Sequence, residues 1–384
     1  MSHTDTPGDS PGVVPVLRAY VEGSRRFDID SLDEPAFKIA LDAGVGSILA
    51  HVTSERRARS ARHNEVHAAD LTMQMMTGVI LDTLADIIAA ARRDGLEVTL
   101  LKGCAAALRY YHQPHHRTMG DVDLLVAEAQ REPLERRLRE LGFVQPGDPR
   151  EALVRDHHHS LPFRHVTTGL WLEVHTRPYP PHSPLARRPG FSFEAVTERA
   201  ETVAVGAKSA RVMNHERQLV YTATRWAEMI NAERGVFPLL DAALLLRARD
   251  GRLDWDDVCR IADDPWAAGA LVLMLTYLNR CGLARIPRAI LSRLATRDAM
   301  TNAVVRRLLH RLVTAYVMEG RPPGIVMTPS NRRIVWSTLV GARSPWRKLL
   351  ALPVSVLFPP GYDGRFDTAR FVRRVRSLTR KMLP

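Results

Sequence analysis

Cysteine is scarce in this 384-residue chain: Cys104, Cys259 and Cys281 are the only three. Their number is odd and no pair has CxxC spacing, which argues against a disulfide framework and a thiolate zinc site. Long apolar runs are also lacking. The longest, Ala267 to Leu278, falls short of the roughly 20 residues a helix needs to cross a bilayer, so no transmembrane segment is expected. The first residues, MSHTDTPGDSPGVVP, lack the charged and apolar regions of a signal peptide. These absences together predict a cytoplasmic protein. Acidic residues are outnumbered, 42 against 54 basic ones, for a formal net charge of +12. That excess, carried mainly by Arg, suits an anionic partner such as nucleotide phosphates, an acidic protein or a membrane surface. It equally suits an arginine-rich composition with no binding role. No aromatic–basic ribonucleoprotein motif and no helix-turn-helix pattern is present, so nucleic acid is not the expected partner.

What is there reads as a globular chain, 45% hydrophobic and 25% charged, long enough for more than one packed unit. Residues 1–15 read as disordered and 16–64 as a helical segment broken at Gly44-Val45-Gly46. A long helix is predicted over 65–93. Its apolar positions Met73, Met76, Ile80, Leu84, Ile87 and Ile88 recur at the three-to-four spacing of one buried face, and Asp94-Gly95 ends it. Short strands follow at 98–101, 121–126, 161–165, 170–175, 202–205 and 210–213, with small helices at 104–111 and 132–141. From Asn214 the pattern is helical to the end. The expected fold class is α+β: a mixed sheet with flanking helices over 65–213, N-terminal helices before it and a helical C-terminal unit over 214–384.

The strand Asp121-Val122-Asp123-Leu124-Leu125-Val126 places two carboxylates at i and i+2, on one face. Side-by-side carboxylates repel, and burying both is unfavourable unless a cation neutralises them. Mg²⁺ (or Mn²⁺) suits the task, taking hard oxygen ligands from carboxylates and substrate phosphates. The later strand Trp171-Leu172-Glu173-Val174-His175 turns Glu173 and His175 to one face and Leu172 and Val174 to the other. If the two strands are neighbours, Glu173 completes a three-carboxylate site able to hold two ions roughly 3.5–4 Å apart. Lys102 and Arg117 are cations close by in sequence, suited either to a triphosphate or to ion pairs with the aspartates themselves.

Taken in order, Lys102-Gly103, Arg117, Asp121-x-Asp123-Leu124-Leu125-Val126 and Glu173-x-His175 resemble the uncharacterised bacterial nucleotidyltransferase family often named NTP-transferase 5, of the polymerase-beta-like superfamily. The resemblance covers about residues 65–180. It implies that Asp121 and Asp123 bind metal, that Glu173 supplies a third carboxylate, and that Gly103 lets backbone approach the phosphates of a nucleoside triphosphate. One departure stands out. Better characterised superfamily members carry Gly-Ser after the first strand, where this chain has Gly103-Cys104.

The expected activity is therefore Mg²⁺-dependent transfer of a nucleoside monophosphate from an NTP to an acceptor on a small molecule, peptide or protein. Phosphoryl transfer on the same fold and a catalytically silent basic binding protein are the alternatives. Eight histidines fall between 112 and 175, but their spacing matches no zinc motif, and only His175 is a site candidate. A basic amphipathic helix at 366–382 is read as packing on its own domain, with peripheral membrane contact as the other reading.

Overall fold

The computed structural model describes residues 12–56, 60–146, 158–181, 183, 185–229, 235–298 and 303–320. The C-terminal segment read as an amphipathic helix lies outside the described residues. Three short helices come first, α1 (Val14–Glu22), α2 (Glu34–Asp42) and α3 (Gly46–Val52). Val13 and Val14 are already buried, inside the stretch expected to be disordered.

The long helix α4 (Ala61–Arg93) ends at Gly95, which takes a φ of 70° suited to the left-handed cap. Its C-terminal half buries Ile80, Leu84, Ile87 and Ile88 as expected. Met76, read as part of the same stripe, is 51% exposed. The exposed stretch is the middle of the helix, where Leu71, Met75, Met76 and Val79 lie between Ala69, which packs on Gly46 of α3, and Ile80, where the cluster shared with the sheet begins. By length and composition alone α4 is long and apolar enough to cross a membrane, a test that a core helix also passes. Its buried half is occupied as one layer of the α+β core.

Seven strands form one mixed sheet. They are β1 (Thr99–Leu100), β2 (Asp121–Leu125), β3 (Phe143–Val144), β4 (Phe163–His165), β5 (Trp171–His175), β6 (Glu201–Val205) and β7 (Lys208–Val212), in the order β3-β4-β5-β2-β1-β7-β6. Strands β2 and β5 are parallel neighbours, with Asp121 beside Trp171, Asp123 beside Glu173 and Leu125 beside His175. Strand β1 lies antiparallel to β2 and parallel to β7. The short β3, Phe143–Val144, pairs with β4 and is not among the strands expected from the sequence.

Alternation along the strands sorts the two faces. Val122, Leu124, Leu172 and Val174 join Ile80, Leu84, Leu134 and Leu138 in one buried cluster, beneath α4 and α6 (Glu128–Glu140). The opposite face carries Asp121, Asp123, Glu173 and His175 and meets a second, larger core. That core joins α1–α3 to α7 (Phe193–Thr197), α8 (His215–Met229), α9 (Val236–Ala248), α10 (Trp255–Ile261) and α11 (Pro265–Arg280). Asn214 caps α8, its side-chain oxygen accepting from Arg217 N–H at 3.3 Å, a local bond that satisfies one orphan donor of the first turn. Helix α5 (Lys102–Tyr110) connects β1 to the loop before β2, so its N-terminus opens beside the acidic strand.

Candidate active site

Asp123 and Glu173 are neighbours across β2 and β5, and their charges meet an ammonium and an imidazole. Lys102 Nζ lies 2.5 Å from Asp123 Oδ1 and 3.8 Å from Glu173 Oε2. His175 Nε2–H donates to Asp123 Oδ1 at 2.7 Å and stands 3.3 Å from Glu173 Oε2. Ligand atoms of Asp123, Glu173 and His175 all fall within 4.8 Å of one another. Asp121 sits two residues earlier on the same strand face but is exposed, outside that compact group.

Electrostatics follows from the geometry. Asp123 is 2% exposed. Burial pushes its carboxyl up, but the Lys102 ammonium and the His175 hydrogen bond outweigh this and hold it well below the usual carboxylate range. Glu173 is shifted the same way: burial raises it, and His175 and Lys102 bring it below its ordinary value. For Lys102, burial works against the charge and Asp123 more than restores it. With Nε2–H given to Asp123, His175 Nδ1 is left buried and unpartnered among the described residues. A second imidazole is close: His159 Nε2 is 3.9 Å from Glu173 Oε2, and its ring packs 5.1 Å from that of His175.

The other expected site residues have different surroundings. Arg117 is in electrostatic reach of Asp121, but the carboxylate it pairs with is another one. Its Nε and Nη2 donate to the two oxygens of Asp241 on α9 at 3.1 and 3.2 Å, and its Nη1 donates to the Thr118 carbonyl at 2.6 Å. Tyr111 donates to the same Asp241 at 2.6 Å, and the guanidinium lies 4.7 Å from the centre of the Phe237 ring. Gly103 is where Arg117 passes closest: a Cβ there would meet Arg117 Cζ at 3.0 Å. In this structure the missing side chain makes room for a guanidinium. Cys104, at the place where a hydroxyl was expected, is buried in the apolar cluster under α4. Burial, with the Asp123 charge adding to it, pushes its thiol up to about 12, so it is not a nucleophile at neutral pH.

Sequence reasoning did not find Tyr221 and Arg225, one turn apart on α8. Both are in electrostatic reach of Asp123 and of Lys102. Arg225 is anchored to Glu228 at 2.7 Å. The Tyr221 hydroxyl is buried with no hydrogen-bond partner among the described residues. A buried hydroxyl left unpaired costs roughly 1–3 kcal/mol, so a site that satisfies it on binding recovers that cost. The only sequence signal was the four-residue spacing on a helix whose contacts were unknown.

The donor set fits a hard divalent cation. Two carboxylates face each other across adjacent strands, Asp121 precedes Asp123 on the same face, and Lys102 Nζ stands against both carboxylates where a cation would be held. Helix α5 adds the N–H groups of its first turn, which have no acceptor four residues back and favour anions. Among known families, the one described as uncharacterised nucleotidyltransferase matches residues 35–282. Comparison with curated proteins and with solved structures gave no match.

Proposed function

This chain belongs to the uncharacterised nucleotidyltransferase family, and from its site we propose that it transfers a nucleoside monophosphate from an NTP with the help of Mg²⁺ or Mn²⁺. The observation that carries this reading is the register of β2 and β5, which sets Asp123 directly beside Glu173 with Lys102 Nζ against both. Asp121, Asp123 and Glu173 would hold the cation, which when bound neutralises carboxylates and phosphates together and stabilises charge developing on the transferred phosphorus.

The chain's own residues do the rest. With a cation held by the carboxylates, Lys102 would be free to turn its ammonium to the triphosphate. The first-turn N–H groups of α5, including that of Gly103, receive phosphate oxygens. Tyr221 donates its buried hydroxyl to the same oxygens. His175 holds Asp123 by its Nε2–H and fixes which oxygen faces the ligand. An acceptor hydroxyl attacks the α-phosphorus, the bond to the β-phosphate oxygen breaks, pyrophosphate leaves, and Glu173 takes the acceptor's proton. Arg117 acts at one remove, with Asp241 and Gly103, by bracing the start of α5. The acceptor is a small molecule, a peptide or a protein side chain.

Calorimetric titration of ATP, GTP, CTP and UTP, with and without Mg²⁺, into the wild-type protein and Asp121→Asn/Asp123→Asn tests the proposal. Mg²⁺-dependent binding of at least one nucleotide, lost in the folded variant, is the expected result. Absence of binding by every nucleotide to the folded wild type overturns it. Product mass then separates this chemistry from phosphoryl transfer: an added nucleoside monophosphate against a bare phosphate.

A further inference from the structure

A second cluster of metal-ligating side chains lies apart from the acidic strands. The turn Pro114–His116 between α5 and β2 brings His115 and His116 against Asp70 of α4. Ligand atoms of all three lie within 4.8 Å of one another. His51, on α3, stands beside the group, its ring 4.8 Å from that of His116 and stacked at 4.9 Å on that of His112. We propose that Asp70, His115 and His116 bind a Zn²⁺ ion, with His51 or a water as fourth ligand, and that this ion fastens the loop leading to Asp121 onto α3 and α4.

Three observations support a metal over a packed histidine cluster. First, His115 Nε2 is 3.1 Å from Asp70 Oδ1, yet that oxygen is buried without a hydrogen-bond partner. Two atoms this close with no hydrogen bond between them are disposed as co-ligands, which in a tetrahedral zinc site each stand about 2.0–2.2 Å from the ion. Second, the ligands already have the outer partners that metal sites use to fix orientation. Gln74 Nε2 donates to the other Asp70 oxygen at 2.8 Å. His116 Nδ1 pairs with the Tyr20 hydroxyl at 2.8 Å, and when Nδ1–H donates there, Nε2 keeps its lone pair for the metal. Third, ligation by two imidazoles and one carboxylate suits Zn²⁺ over Mg²⁺. The sequence concealed the site because its ligands come from separate segments with no motif spacing.

The test is metal content of the purified chain after dialysis against Zn²⁺ and then metal-free buffer, together with the visible spectrum of the Co²⁺-loaded protein. The wild type is expected to retain about one Zn²⁺ and to show intense tetrahedral Co²⁺ bands. Asp70→Asn and His115→Gln, both at partly exposed positions, are expected to lose the metal and the bands while keeping the wild-type circular dichroism. Asp123→Asn is expected to keep both, since its carboxylate belongs to the other site. A folded wild type that retains no Zn²⁺ overturns the proposal. So does Zn²⁺ held equally by Asp70→Asn and His115→Gln, or lost only in Asp123→Asn.

Discussion

Lys102 Nζ sits 2.5 Å from Asp123 Oδ1, while the Lys102 backbone takes a φ of 49°, the only positive value at a non-glycine residue among those described. A side chain in that left-handed region costs roughly 1–2 kcal/mol, and the ion pair helps to hold it there. The lysine thus occupies the carboxylates before any cation does. Lys102→Met leaves Asp123 buried with His175 alone, and breaking such a pair costs about 3 kcal/mol. The expected result is a lower urea midpoint that Mg²⁺ partly restores, together with at least a tenfold loss of NTP affinity. An unchanged midpoint would show that Lys102 does not neutralise Asp123.

Gly103→Ala tests how tightly Arg117 is held. The new methyl meets Arg117 Cζ at 3.0 Å, and Arg117 cannot withdraw freely because both Asp241 oxygens accept from it. Helix propensity favours Ala by up to about 1 kcal/mol, while displacement of a buried, doubly bonded guanidinium costs more. A net loss of about 1–2 kcal/mol is expected by chemical denaturation. Arg117→Lys, which cannot reproduce the forked contact, is expected to destabilise in the same direction.

Tyr221→Phe removes a hydroxyl that has no partner among the described residues. Folding stability is expected to stay the same or rise by up to about 1 kcal/mol. Nucleotide affinity is expected to fall about tenfold, one hydrogen bond's worth. Denaturation and calorimetry on the same variant measure the two effects. Equal loss of both would mark Tyr221 as structural.

The pH dependence of the metal-free protein follows from two sets of groups. Burial lowers His51 to about 4 and His116 to about 3, where they face Tyr20, Asp70, His112, His115 and, for His51, Arg25. Unfolded imidazoles protonate first, near 6.5, so stability falls as pH drops from about 6.5 toward 4. His116 contributes on the order of a few kcal/mol, at about 1.4 kcal/mol per pH unit. Asp123 and Glu173 are held below their ordinary values, so their contribution is complete above about pH 4 and is lost below it. Urea midpoints between pH 7.5 and 3.5 are expected to show both phases, and His116→Phe to flatten the upper one.

Much of the sheet was readable because burial and chemistry coincide with a two-residue period. Val122, Leu124, Leu172 and Val174 mark the covered face, so Asp123 and Glu173 must share the other. Their adjacency needed only that β2 and β5 be neighbours, which the fold provides. The partners that came from distant segments were not readable. Asp241 claims Arg117 from 124 residues away, and Asp70 meets His115 across a helix and a turn. Met76 misled because a helical stripe records which face is apolar, not which part of that face finds a partner.

Electron paramagnetic resonance of Mn²⁺, titrated with a non-hydrolysable NTP analogue, tests the central claim most directly. The wild type is expected to immobilise Mn²⁺ in the presence of the nucleotide, Glu173→Gln and Asp123→Asn to lose that signal, and Asp70→Asn to keep it. Mn²⁺ held equally by the wild type, Asp123→Asn and Glu173→Gln, all folded, would contradict the assignment of the metal to the paired carboxylates of β2 and β5.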